Sequence, residues 1–273
     1  MTLPGTDKVF AGNIPAIYES HLVPLIFEPY AADLVKRVAL KSPAQVLEIA
    51  AGTGVLTRHL AALLPETAFI MATDLNQPML DHASSIGTKR PVKWRQADAM
   101  QLPFADGTFD AVVCQFGAMF FPVKAKAFAE ARRVLRPGGV FLFSVWDRIE
   151  ENEFADVVAT TVAAMFPDDP PRFLARTPHG YYERDQLERD VEAAGFTALA
   201  EINTIAARSR AESPYTVAFA YCQGTPLRNE IEARDASRLA EATDLSTEAI
   251  ISRFGPGPVD GKIQAITVSV EAK

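Results

Sequence analysis

The chain has 273 residues, 48% of them hydrophobic, enough to bury one substantial core and better fitted to one enlarged domain than to two full ones. Its 27 Lys and Arg stand against 34 Asp and Glu, a formal charge of -7 with no basic block. Nucleic acid is therefore not the expected partner, because gripping phosphates takes a cationic surface that displaces counterions, and a small molecule is the expected substrate.

In chain order, residues 10–40 look helical and carry Tyr18, His21, Phe27 and Tyr30. From about residue 44, short β-like runs alternate with helical patterns, the signature of parallel strands joined by crossover helices. The predicted strands are 45–49, 68–73, 92–97, 109–116 and 140–146. Asn76 followed by Pro78 opens a helix that Gly87 ends. In 123–135, Val123, Ala127, Phe128, Ala131, Val134 and Leu135 share one stripe, so this helix should pack on the sheet until Pro137-Gly138-Gly139 stops it.

Two stretches exceed the alternation, 148–182 and 212–261, and read as mostly helical insertions. The first follows the fifth strand and the second follows a sixth, 198–207. Both leave the carboxyl ends of parallel strands, where open α/β sheets bind ligands, so they either cover a substrate pocket or serve packing alone. The last run, 263–270, alternates as a strand half exposed on one face would. Cys114 and Cys222 lack CxxC spacing and read as buried free thiols, and the scattered histidines give no metal ligand set. No apolar run approaches the ~20 residues of a membrane span. Residues 1–10 lack a basic start followed by an apolar stretch, so a soluble, cytoplasmic protein is expected.

The most specific segment is Val46-Leu47-Glu48-Ile49-Ala50-Ala51-Gly52-Thr53-Gly54, a strand running into a small-residue loop and then a helix. Small residues let the backbone approach a ligand closely, and the helix turns unpaired N–H groups toward it. The register is E-x-A-x-G-x-G, which departs from the G-x-G-x-x-G of a dinucleotide site. Asp74 closes the second strand, where a carboxylate can accept two hydrogen bonds from vicinal hydroxyls. Ala97-Asp98-Ala99-Met100 ends the third, the turn Asp106-Gly107 precedes the fourth, and Gln115-Phe116-Gly117-Ala118-Met119-Phe120-Phe121 ends it.

These motifs, in this order over 43–146, resemble the class I S-adenosylmethionine (SAM) dependent methyltransferases, in particular the bacterial small-molecule group that includes the ubiquinone/menaquinone-type enzymes. The resemblance implies a Rossmann-like seven-stranded, mostly parallel sheet with an antiparallel last strand and helical cap insertions. It implies one domain over 1–273, with a helical segment 1–42, a SAM-binding core 43–147 and caps 148–182 and 212–261. The loop residues Glu48, Ala50, Gly52 and Gly54 then cradle the methionine part of SAM, with Ala50 standing where Gly is commoner. Asp74 takes the ribose, Leu75 and Met79 contact the adenine, Asp98 and the Ala99 N–H read its edge, and the backbone near Gln115 approaches the amino group.

The resemblance implies methyl transfer to a small-molecule acceptor, leaving S-adenosylhomocysteine (SAH) as product. An acceptor hydroxyl or acidic carbon would need a base, and His21, His179, Tyr18, Tyr181 and Tyr182 are the candidates. His59 and His82 are expected to face solvent, and Phe120 and Phe121 to face either core or pocket. The sequence leaves open a SAM-binding regulatory or partner protein without turnover, since a fold and a cofactor site do not fix chemistry. Aminopropyl transfer would want acids that 118–122 lacks, and a hydrolase would want G-x-S-x-G.

Overall fold

Short apolar runs separated by amphipathic helices can bury both faces of a parallel sheet, and the chain does this. The computed structural model describes Asp7 and residues 12–273; the segment examined for a leader pattern otherwise lies outside the described residues. The amino-terminal part comprises α1 (Ile14–Ile17), a π-helical stretch Tyr18–Phe27 and α2 (Glu28–Leu40). The alternating core follows: β1 (Gln45–Ile49), α3 (Val55–Leu63), β2 (Phe69–Asp74), α4 (Gln77–Ile86), β3 (Lys93–Gln96), β4 (Phe109–Gln115), α5 (Lys124–Val134) and β5 (Leu135–Trp146). Beyond it come α6 (Glu153–Met165), α7 (Phe173–Arg176), α8 (Arg184–Ala193) and β6 (Glu201–Ala211). Helices α9 (Pro214–Gln223), α10 (Leu227–Asp235) and α11 (Leu239–Phe254) precede β7 (Val259–Glu271).

Among the described residues the strands form one seven-stranded sheet in the order β3-β2-β1-β4-β5-β7-β6. Strands β1 to β5 pair in parallel, and β7 is antiparallel to both its neighbours, β5 and β6. This is the expected Rossmann-like architecture. Because β6 and β5 each run antiparallel to β7, they point the same way, and both long insertions leave the same edge of the sheet as the loops after β1, β2 and β4.

Three expectations are corrected. The final strand is not half exposed: β7 is inserted between β5 and β6, and Ala265, Ile266, Thr267 and Val268 are all buried, a consequence of strand order that its alternation does not encode. The sixth strand runs three residues later at its start than the apolar pattern suggests and continues to Ala211. Val123 is the exposed N-cap of α5, while Ala127, Phe128, Ala131 and Val134 form the buried stripe. In the π-helical stretch Pro24 lacks an N–H and its ring would crowd a carbonyl one turn back; widening the helix accommodates it, and the Glu28 N–H closes on the Val23 carbonyl. No helix among the described residues is long and apolar enough to cross a membrane.

Candidate functional site

The loop after β1 departs from ordinary backbone geometry. Ala50 sits at φ 55° and Gly52 at φ 57°, both in the left-handed region, where a Cβ costs roughly 1–2 kcal/mol. Ala50 therefore holds by its surroundings a conformation that glycine adopts freely. Gly117 lies opposite: a Cβ there would overlap the Ala50 Cβ and come within 2.8 Å of Cys114 Sγ, so the loop after β4 can approach only because residue 117 has no side chain.

Asp74, at the end of β2, is buried and ties this loop to its own. The Gly52 N–H donates to Asp74 Oδ2 at 2.8 Å and the Asn76 N–H to Oδ1 at 2.8 Å. Burial raises the Asp74 pKa, and these main-chain donors pull it back down. Glu48 lies beneath the loop, its Oε2 accepting from Thr57 Oγ1 at 2.6 Å. Burial pushes its carboxyl up to about 8, against the downward pull of the Thr57 hydroxyl and Arg58.

Between these loops a cleft opens, with about 890 Å³ of space not filled by atoms, its mouth included. Ala50, Gly52, Asp74, Leu75 and Met79 line one side of it, and Asp98, Ala99 and Gln115 another. Glu48 and Gly54 are not on its wall: Glu48 is buried under the loop, and Gly54, at φ 85°, caps α3 against Trp94 and Ala83. Gln115 Nε2 donates to the Phe27 carbonyl at 3.0 Å, while its Oε1 is buried without a partner among the described residues. Asp98 Oδ1 accepts the Met100 N–H at 2.8 Å and the residue stays exposed.

A second, apolar cavity adjoins the cleft, and Tyr18, Phe116 and Phe120 line both. Besides the ends of β4 and β5, its walls come from three further parts of the chain: Leu22, Ile26 and Phe27 from the π-helical stretch, Phe173 and His179 from 148–182, and Tyr221 and Thr225 from 212–261. Phe116 (φ 53°, again left-handed) stacks on Trp146 with ring centroids 3.9 Å apart and planes 7° apart, and this pair walls the cavity from the sheet side. Trp146, Phe27 and Tyr221 were not among the sequence candidates, because their meeting depends on contacts between segments far apart in sequence. Phe120 and Phe121 both reach the cleft wall.

The structure separates the candidate bases. Tyr18 lies at the junction of the two cavities and His179 on the wall of the second. Burial raises the Tyr18 pKa, with Asp74 and Glu19 adding to the effect. His21, Tyr181 and Tyr182 line neither cavity. His21 Nδ1 is bonded to Ser20 Oγ at 2.7 Å and its ring packs on Phe219, outside the site. Tyr181 donates to Asp190 Oδ2 at 2.7 Å, a bond between the end of the insertion and α8. His59, expected to face solvent, is partly exposed and bonds Glu28 at 2.7 Å, and Cys114 and Cys222 are buried and free. Among the described residues no cluster of His, Cys, Asp or Glu could hold a metal ion.

The chain matches the family model described as a methyltransferase domain over residues 47–143. It is 33% identical over 168 residues to the ubiquinone/menaquinone biosynthesis C-methyltransferase UbiE of Haemophilus ducreyi, covering 57% of this chain and 65% of that protein. It is 31% identical over 174 residues to the enzyme of the same name from Citrobacter koseri, covering 59% and 69%. The chain thus spans about two thirds of the length of these relatives. Among solved structures, the phosphoethanolamine N-methyltransferase 2 of Haemonchus contortus, solved with phosphomonomethylethanolamine and SAH, superposes with a TM-score of 0.60 at 16% identity, over 98% of this chain and 60% of that one. At that identity the likeness is one of fold.

Proposed function

Because the chain belongs to the class I SAM-dependent methyltransferases, whose cofactor is SAM, we propose that it transfers the methyl group of SAM to a small molecule held in the apolar cavity. The observation that carries this reading is the pairing of a polar cleft built around Asp74 with an apolar cavity sharing Tyr18, Phe116 and Phe120. Two reactants brought face to face need such an arrangement.

The residues fit the cofactor. Asp74 Oδ2 accepts the Gly52 N–H and keeps acceptor capacity for one hydroxyl of a ribose diol, while Oδ1 accepts the Asn76 N–H and a long, 3.4 Å bond from the Asn76 side-chain amide that the second hydroxyl would displace. The unpartnered Gln115 Oε1 is an acceptor suited to an amino group, Leu75 and Met79 offer apolar contact to an adenine, and Asp98 with the Ala99 N–H offers an acceptor and a donor for its edge. Ala50 and Gly52 would cradle the methionine part, with Glu48 and Gly54 supporting the loop from beneath.

Bound SAM supplies a methyl group on a positively charged sulfur, so the leaving group is already activated. What the chain adds is orientation, which can supply roughly 7–11 kcal/mol. Of the candidate bases, Tyr18 and His179 are the two on the walls where an acceptor would sit. We read 148–182 and 212–261 as the cap of a single domain, and the protein as cytoplasmic. Incubation with labelled SAM and a metabolite extract should yield SAH and a labelled product, and calorimetry should show SAH binding; a purified, folded chain that binds neither SAM nor SAH would overturn the reading.

A further inference from the structure

The walls of the second cavity carry information about its occupant. None of the side chains lining it belongs to Asp, Glu, Lys or Arg. Of its polar groups, Asn152 is spent on the chain: Oδ1 accepts the Gln264 N–H, and Nδ2 donates to main-chain carbonyls including that of Arg148 at 3.2 Å. Thr225 Oγ1 donates to the Tyr221 carbonyl at 2.7 Å and accepts the Leu227 N–H at 3.2 Å. Three groups are left without a hydrogen-bond partner among the described residues: Nε2 of His179, the hydroxyl of Tyr221 and the indole N–H of Trp146, which can only donate.

The tautomer of His179 follows from its one bond. Nδ1 lies 2.8 Å from the Asp147 carbonyl oxygen, which can only accept, so Nδ1 carries the proton and Nε2 presents a lone pair. Resting on the methyl-transfer reading above, we propose that the acceptor is a neutral, largely apolar molecule bearing a hydroxyl, and that Nε2 of His179 takes the proton of that hydroxyl. An ammonium, carboxylate or phosphate entering this cavity would shed its hydration and meet no oppositely charged side chain on the wall. A hydroxyl on an aromatic frame instead donates to Nε2 of His179 while its ring meets Phe116, Trp146 and Phe173.

The step balances as a displacement: an oxygen–carbon bond forms as the sulfur–carbon bond breaks, the electron pair stays on sulfur, and the hydroxyl proton passes to Nε2. The positive charge lost from sulfur reappears on the imidazole, which later releases the proton to water. A weak base suffices, because an oxygen receiving a methyl group becomes strongly acidic. Burial pushes the His179 pKa down to about 4, against the upward pull of Asp147 and Glu150, the charged groups that face it. The ring is therefore unprotonated and ready at neutral pH.

The test is calorimetry on SAH-saturated protein with 4-ethylphenol, 4-ethyltoluene, 4-ethylbenzoate and 4-ethylbenzylamine. The phenol should bind at least about 10-fold more tightly than either ion, and His179→Phe should erase roughly 3- to 10-fold of its preference over the toluene, the share of one neutral hydrogen bond. Failure of the phenol to bind, or an ion binding as well, overturns the acceptor class. SAH release with 4-ethylphenol should be flat from about pH 5.5 to 8 and fall on the order of 100-fold in His179→Phe. A profile rising through the ordinary imidazole range, about 6.5, overturns the proton assignment. Should the variant not fold, the four-ligand comparison on the unaltered protein decides. SAH binding by itself tests methyl transfer, so the two failures are distinguishable.

Discussion

Asp74→Asn is the sharpest perturbation of the cleft proposed to hold SAM, because it keeps the shape of the side chain and inverts one of its polar atoms. Both carboxylate oxygens accept a main-chain N–H, from Gly52 and from Asn76, each at 2.8 Å. Whichever way the new amide turns, its NH₂ faces one of these donors and leaves it unpaired under the loop. A buried unpaired donor costs about 1–3 kcal/mol, and a bound diol loses a charge-assisted bond of about 1.5–3 kcal/mol. Some of the first cost falls on the free protein, so the net loss of binding should be about 2–4 kcal/mol, or roughly 30- to 700-fold in SAH affinity. Calorimetry at pH 8 measures it, with a thermal melt to record the accompanying drop in stability. The pH dependence adds a second check. Burial raises the Asp74 pKa, so the ionised form that accepts both hydroxyls is present above that raised value and lost as pH falls through it. The unaltered protein should lose SAH affinity on acidification at a pH above the ordinary aspartate range, and Asp74→Asn should not. An affinity at pH 8 within about three-fold of the unaltered protein would refute this account of the cleft.

Glu48 is held neutral in the fold, its pKa raised from 4.5 to about 8, so its contribution to stability is whole below 4.5 and declines as pH rises to about 8. Glu48→Gln keeps an acceptor for Thr57, and its melting temperature relative to the unaltered protein should climb between pH 5 and 8; a pH-independent difference would contradict the burial cause. Arg58 bonds Glu19 at 2.6 Å and the Thr53 carbonyl at 2.8 Å, joining the π-helical stretch to the cofactor loop. Arg58→Ala should cost about 1–3 kcal/mol in a denaturant melt and several-fold in SAH affinity, and unchanged affinity would show that the two segments are not coupled. Gly117→Ala should destabilise by about 1–3 kcal/mol and weaken SAH binding, and Ala50→Gly in the same chain should restore part of both; strict additivity of the two changes would count against the contact.

The alternating core was legible because each local signal agreed with the global fold. The limits of β1 match their apolar run, and α4 begins and ends at the proline and glycine that announce it. The acid at the end of β2 was legible as well, since strand end, charge and following helix coincide in one short segment. The order of the last two strands was not, because β7 takes its burial from the neighbours between which it is inserted, and two-residue alternation reports only what a strand would do at an edge. Nor could the sequence sort the lone histidines. His21 and His179 each lie in a segment that could line a pocket, and what divides them is a main-chain carbonyl 32 residues from His179 and a phenylalanine far along the chain from His21.

The second cavity was the least legible part, although its ingredients are ordinary apolar residues. Its wall requires the π-helical stretch to lie against the end of β4, and the bond from Gln115 to the Phe27 carbonyl fixes that approach. It requires Phe116 to adopt a left-handed backbone so that its ring lies flat on Trp146, at the end of the neighbouring strand. It also requires Gly117, next in the chain, to admit Ala50 of the cofactor loop. Three consecutive residues at the end of β4 therefore each serve a different partner: the amino-terminal segment, the wall of the second cavity and the loop after β1. Strain at Phe116 and Ala50 is the cost of bringing those partners together, and it is concentrated at the seam between the two cavities, where a methyl group would have to cross.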